Sequence, residues 1–262
     1  GSGAEEMTNV LVCIKRVPDA AGEVTLTSDA QTLDARFVGF TVSAHESCAV
    51  ELAVRIATAD GGAATVLTLG PSDAVEQLRS ALGVGAAAAV LVEADTVGFG
   101  PADVAKEIAA VVNAHAADGR TYDLILLGND AADTGDFQVG IRLAHELGRP
   151  VVNGVRTVDV AGGVATAHGD GIDGVETYEV PLPAVVTVLE GGVEPRYPSI
   201  TGRMKAKKTK IEMLAPTGDP RGSGRVRLTL PPAQPSTVEV LGTGPEAAAA
   251  VVALLQRMGV AR

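Results

Sequence analysis

AATVLTLGPSDAVEQLRSALGVGAAAAVLVE, residues 63–93, decides how the rest of the chain is read. Its ends, AATVLTL (63–69) and AAVLVE (88–93), are short, continuous apolar runs of the kind expected for strands buried on both faces of a sheet. Between them the spacing predicts a helix capped by Ser72 and running to about Leu82. Strand, helix, strand in about thirty residues is one right-handed crossover unit, which makes the two strands parallel neighbours. The same texture runs on both sides of it. NVLVCIK (9–15), DLILLG (123–128) and PVVNGV (150–155) read as further buried strands. Helices are predicted over 48–59, after Pro101 through Val104, Ile108, Val111 and Val112, and along Phe137, Ile141, Leu143, Ala144 and Leu147 up to Gly148. The fold class is therefore α/β, a doubly wound, mostly parallel sheet with helices on both faces. Ligands of such sheets bind beyond the carboxyl ends of the strands, here after Lys15, Leu69 and Leu127.

Past residue 155 the pattern changes to period-two segments separated by AGG, GDG and EGG, which predicts a β-hairpin region. One apolar strand, Ala184 to Leu189, returns to the main sheet. After Glu212 a Pro/Gly-rich stretch reads as an extended arm, followed by a helix over 245–258 with Ala247, Val251, Leu254 and Met258 on one face. This divides the chain into an α/β domain over 1–212 and a C-terminal arm with a helix over 213–262.

Composition narrows the function classes. The 262 residues are 46% hydrophobic, enough for a large core, but only 3% aromatic and without Trp, so that core rests on Ala, Val, Leu and Ile. A formal charge of −11 argues against general nucleic-acid binding. The polar start GSGAEEM does not look like a secretory signal, no apolar run reaches membrane-span length, and Cys13 and Cys48 lie in apolar surroundings unsuited to a disulfide framework. A soluble cytoplasmic protein without membrane insertion is expected.

LLGNDAADTGDFQVGIRLAHELG (126–148) is a strand, a Gly/Asp-rich loop and a helix, whose first amides would suit a phosphate. Asp130, Asp133 and Asp136 are expected there as caps and turn formers. The chain has no GxGxxG and no GxxxxGK[ST], no zinc spacing among His45, His115, His145 and His168, and no GxSxG elbow. This poverty of side-chain chemistry favours a binding or carrier protein without catalytic residues. EPRYPSITGRMKAKKTKIE (194–212) then gathers Arg203, Lys205, Lys207, Lys208 and Lys210 beside Tyr197 and Ile200, in an otherwise acidic protein. Fixed positive charge next to exposed apolar groups suits a docking surface.

DGIDGVETYEVPLPAVVTVLEGGVEPRYPSITGRMKAKKTKIE (170–212) resembles the signature region of the β subunit of electron transfer flavoproteins, the group that includes the FixA-type proteins. LVCIKRVPD, AVELAVR, LTLGP and LLGNDAAD extend the likeness over nearly the whole chain. The resemblance implies an adenine-nucleotide α-hydrolase-like fold and a heterodimer. Its α subunit holds most of an FAD, and the C-terminal arm of this chain would pack on that subunit. Electrons would arrive from flavoprotein dehydrogenases, such as acyl-CoA dehydrogenases of fatty acid β-oxidation, and leave for a membrane quinone oxidoreductase. It further implies a structural AMP in this subunit, with contacts carried over to Cys13, to Ser43, Ala44, His45 and Glu46, to Leu69, and to Gly128, Asn129, Asp130, Ala131, Ala132, Asp133, Thr134, Gly135, Asp136, Phe137, Gln138 and Val139. No metal is implied. The family's docking loop falls at about 194–210, with Ile200 as apolar anchor and Tyr197, Arg203, Lys205 and Lys208 around it. Some members carry a second FAD in place of AMP and split electron pairs, and Ala20 does not decide between the two. From another class, a universal-stress-like nucleotide-binding regulator or an ATP hydrolase on the same sheet stays open, although the former would be expected to carry a glycine-rich phosphate motif and no long basic docking segment.

Overall fold

The computed structural model describes residues 6–19 and 22–262, so most of the GSGAEEM start and Ala20 lie outside the described residues. The chain begins with β1 (Val10–Cys13), followed by a two-residue ribbon of β2 (Val17–Pro18) and β3 (Phe40–Thr41), paired antiparallel and apart from the main sheet. Then α1 (Ala44–Ala59), β4 (Ala64–Gly70), α2 (Val75–Val84), β5 (Ala88–Glu93), α3 (Pro101–Ala117), β6 (Leu124–Gly128) and α4 (Val139–Leu147) alternate. The hairpin region follows as β7 (Val151–Ala161), β8 (Val164–Gly171) and β9 (Gly174–Pro181), and β10 (Ala184–Val188) returns to the sheet. The chain continues with α5 (Ile200–Lys208), β11 (Glu212–Leu214) and finally α6 (Ala248–Arg257).

The main sheet has nine strands in the order β11-β5-β4-β1-β6-β10-β7-β8-β9. From β11 to β7 every neighbour is parallel, and β7, β8 and β9 form an antiparallel meander at one edge. Strand side chains alternate between two cores. Val10 and Val12 pack with α1 and α2, while Leu11 and Cys13 pack with α3 and α4. The chain winds outward from β1 through β4 and β5, then crosses back to β6, which places the reversal of strand order beside β1. No described helix is long and apolar enough to cross a membrane.

Two local expectations change. Ser72 caps no helix: Ser72–Ala74 form a 3-10 turn after Pro71, and α2 begins at Val75 without a side-chain cap. The segment expected as a docking loop contains a nine-residue helix, α5, whose N-cap Ser199 accepts the Gly202 N–H at 2.9 Å. Lys205, Lys207 and Lys208 lie in the last turn of α5, where cations complement the helix dipole.

Among the described residues one compact unit reaches to Leu228, and Thr229–Arg262 form a second unit. In the second unit an irregular stretch precedes a 3-10 turn at Gly244–Ala247 and α6, which has no buried residue and leaves Val251, Val252 and the following Met258 exposed.

Candidate functional site

A cavity of about 400 Å³ opens where the sheet rule places it, beyond the carboxyl ends of β1, β4 and β6. Cys13, Ile14 and Lys15 enter from β1, Leu67 and Leu69 from β4, and Leu127, Gly128, Asn129, Asp130, Ala131, Asp133, Thr134, Asp136 and Val139 from β6 and the loop into α4. Glu46 enters from the first turn of α1. Ser43, the N-cap of α1, accepts the Glu46 N–H at 3.2 Å and donates its hydroxyl to Glu46 Oε2 at 2.8 Å, a capping box that faces the cavity. Burial pushes the Glu46 carboxyl up to about 7, against the opposing pull of Ser43 and Lys15. The Cys13 thiol, fully enclosed and next to Glu46, is held far above its ordinary value and stays protonated, so it serves as packing and not as a nucleophile.

Polar groups at the mouth are engaged with one another. Lys15 Nζ meets Asp133 Oδ1 at 2.7 Å and so ties the β1 loop to the β6 loop. His45 Nδ1 accepts the Glu190 N–H at 2.8 Å, which puts the proton of the neutral ring on Nε2. That Nε2 lies 3.0 Å from Asp130 Oδ1 without being aligned on it as a hydrogen bond, and this buried oxygen has no donor among the described residues. Asn129 Oδ1 accepts the Thr187 hydroxyl at 2.8 Å, fixing the loop to β10.

The three acids expected to cap the loop divide their work differently. Asp133 accepts the Thr134 N–H and Asp136 accepts the Thr134 hydroxyl, but neither they nor Asp130 caps α4, whose N-cap Gln138 makes no capping bond and instead accepts the Arg142 Nε–H at 3.0 Å. Of the positions carried over from the family, Ser43, Ala44, His45, Ala132, Gly135, Phe137 and Gln138 do not line the cavity, and Phe137 stands 57% exposed. The first three instead shape the start of α1 behind Glu46. Sequence reading missed the wall from Thr96 to Pro101, although as the loop after a parallel strand the sheet rule could have found it. It also missed Lys15, and the late residues Ser223, Arg225 and Leu228.

A donor-less buried carboxylate oxygen, uncapped helix amides and an enclosed volume near the low end of the usual ligand range of about 300–1,000 Å³ fit a mononucleotide. Asp130 could accept a ligand hydroxyl, and the α4 amides could face a phosphate.

The second candidate surface is the outer face of α5 and the turn before it. Tyr197 is 91% exposed, Ile200 80% and Met204 58%, with Arg203, Lys205, Lys207 and Lys208 exposed beside them. Its underside is fixed. Glu51, fully buried in α1, accepts the Arg196 backbone N–H at 2.8 Å and grips the same guanidinium through Nε at 2.9 Å and Nη2 at 2.7 Å. With Arg55 Nε adding a bond at 2.8 Å, these donors hold the Glu51 carboxyl down at about 2. At the other end Arg79 Nη1 donates to the Ala206 and Thr209 carbonyls at 2.5 and 3.2 Å. The approach of α5 to α2 needs two glycines, because a Cβ on Gly202 would lie 2.4 Å from the Gly83 carbonyl oxygen and one on Gly83 would lie 2.9 Å from Pro198 Cβ.

Comparison with known proteins agrees with this architecture. The family described as Electron transfer flavoprotein domain matches residues 34–218. A protein of Syntrophomonas wolfei named Electron transfer flavoprotein subunit beta is 35% identical over 235 residues, 88% of this chain and 89% of the relative. Proteins of the same name from Mycobacterium leprae and Bacillus subtilis are 38% and 34% identical, each over 79% of this chain and over 79% and 78% of their own lengths. With family match and relatives alike spanning most of its length, the chain belongs to the electron transfer flavoprotein β-subunit family.

Proposed function

We propose that this chain is the β partner in a heterodimeric electron carrier, paired with an α subunit that holds most of an FAD. The FAD supplies the redox chemistry when bound, and this chain lends it one wall. Electrons come from flavoprotein dehydrogenases, acyl-CoA dehydrogenases among them, and leave for a membrane quinone oxidoreductase. The β chain makes and breaks no bond of its own.

In this reading the cavity holds a structural AMP. The observation that carries it is the cavity's position: it opens at the reversal of strand order, with the buried Asp130 carboxylate and the uncapped start of α4 on its wall. Asp130 accepts a ribose hydroxyl, the α4 amides meet the phosphate, and Glu46, Cys13 and Leu69 form the floor. The exposed face of α5 docks the dehydrogenases, with Ile200 as anchor and the basic side chains steering acidic partners toward it. The C-terminal unit, with its uncovered α6, packs against the α subunit.

The test is to form the complex with an electron transfer flavoprotein α subunit and follow the bleaching of its flavin by an acyl-CoA dehydrogenase and its substrate. Flavin reduction that Ile200→Ala slows at least several-fold is expected. A complex that assembles with flavin yet accepts no electrons from any such dehydrogenase contradicts the proposed donors, and a chain that forms no flavin-containing complex contradicts the carrier reading as a whole.

A further inference from the structure

Residues 215–228 have no regular secondary structure, yet their backbone is pinned along its length. Glu107 in α3 accepts the N–H groups of Thr217 and Gly218 at 2.8 and 3.3 Å and the Thr217 hydroxyl at 3.1 Å. One turn earlier Asp103 accepts the N–H groups of Arg221 and Gly222, both at 2.9 Å. Both carboxylates are buried, and without these donors each would be an uncompensated charge in the protein interior. The chain then crosses to the turn near residue 30, where Arg225 Nη1 donates to the Gln31 carbonyl and the Leu228 N–H to the Ala30 carbonyl, each at 2.8 Å. At the α3 end the crossing leaves no room for a side chain, since a Cβ on Gly100 would lie 2.5 Å from the Gly222 carbonyl oxygen. Between these anchors Ser223, Arg225 and Leu228 form part of the cavity wall.

Charge in the cavity gives the strap a purpose beyond cover. Four acids line it, Glu46, Asp130, Asp133 and Asp136, against two cations. Lys15 is committed to Asp133 at 2.7 Å. Arg225 makes no ion pair among the described residues, and of its guanidinium donors only Nη1 is held among them, by the Gln31 carbonyl. A guanidinium with free donors is what an anion entering so acidic a cavity requires.

We propose that residues 217–228 are the closing wall of the nucleotide site, in which Arg225 pairs with the phosphate while Asp103 and Glu107, as positioning residues, latch the strap across the mouth. The inference rests on the mononucleotide reading above. Bound nucleotide and latched strap then stabilise each other, so release of one requires release of the other. Arg221, Arg225 and Arg227 give trypsin three places along the strap to report its opening.

The experiment uses the heterodimer of this chain with its α subunit, loaded with labelled AMP and chased with unlabelled AMP, with melting temperatures confirming folded variants. Glu107→Gln and Arg225→Gln are expected to release AMP roughly ten- to a hundred-fold faster, the scale of one lost charged hydrogen bond. AMP is expected to slow tryptic cleavage after Arg221 and Arg227, and Arg225→Gln to erase most of the preference for AMP over adenosine. Unchanged release and AMP-independent cleavage overturn the strap. An intact AMP preference in a folded Arg225→Gln overturns the phosphate assignment. A parent complex that holds its FAD but binds no AMP instead overturns the mononucleotide reading on which both rest.

Discussion

In the cavity the polar groups point inward and are held by one another, whereas on α5 the apolar and basic side chains point outward and only the helix's underside is held. The cavity floor depends on a buried carboxyl, Glu46, kept in place by a capping box, and on loops joined by Lys15 and Asp133. The α5 surface depends on a different buried carboxyl, Glu51, placed under Arg196. Both acids belong to α1, one turn and a residue apart, and their environments drive their protonation in opposite directions. Glu46 is buried with few compensating donors and holds its proton up to about 7, while Glu51 is buried under two guanidinium groups and stays charged. A small-molecule site tolerates a reluctant charge in its floor. The exposed side chains of α5 stand on a rigid base.

The contrast breaks first at Arg196. Arg196→Ala leaves Glu51 in the interior with Arg55 as its one remaining cation, and is expected to cost about 3 kcal/mol, read as a lower denaturation midpoint with an unchanged denaturant slope. A loss below about 0.5 kcal/mol, the size of an ordinary surface change, would mean that the clamp bears no strain.

pH separates the two acids. The folded protein holds a proton on Glu46 up to about 7, where the unfolded chain has already lost it, so this group's contribution falls as pH rises from the ordinary carboxylate range through about 7. Glu51 behaves in the opposite sense, its contribution being lost as pH falls from that range through about 2. Glu46→Gln should therefore flatten the decline between pH 5 and 8 by about 2–3 kcal/mol while leaving the acid limb intact, as followed by melts across pH. An unaltered alkaline decline would show that Glu46 carries none of it.

Gly202→Ala tests the close approach of α5 to α2, and should cost about 1–2 kcal/mol as the helix is lifted from Gly83. The smallest effect on stability belongs to Ile200→Ala, within about 0.5 kcal/mol because the side chain is exposed. Its effect on partner reduction should be the larger one. Replacing Lys205 and Lys208 by Gln should lower the association rate at low salt and weaken its salt dependence, as measured by stopped-flow mixing. Equal losses in stability and docking for these exposed residues would erase the distinction between the two surfaces.

How much of this was legible follows from the range of the interactions involved. The strands β1, β4, β5 and β6 declare themselves because burial on both faces demands continuous apolar runs, and their parallel order follows from the helices between them. The loop from Gly128 to Val139 was legible for the same reason, as a carboxyl-end connection. The helical state of α5 was obscured by its charge, since ITGRMKAKK presents no apolar periodicity, although Ser199 three residues before Gly202 was a capping signal. The strap was not legible at all. Its bonds run from backbone N–H groups to carboxylates more than a hundred residues earlier in the chain, and neither the Pro/Gly-rich segment nor α3 carries a pattern that names the other.

The most direct test of the account is to purify the complex of this chain with its α subunit, denature it, and count the released nucleotides by chromatography. One FAD and one AMP per heterodimer is the predicted result. Two FAD and no AMP would contradict it, and would mean that the cavity beyond β1, β4 and β6 serves a second flavin.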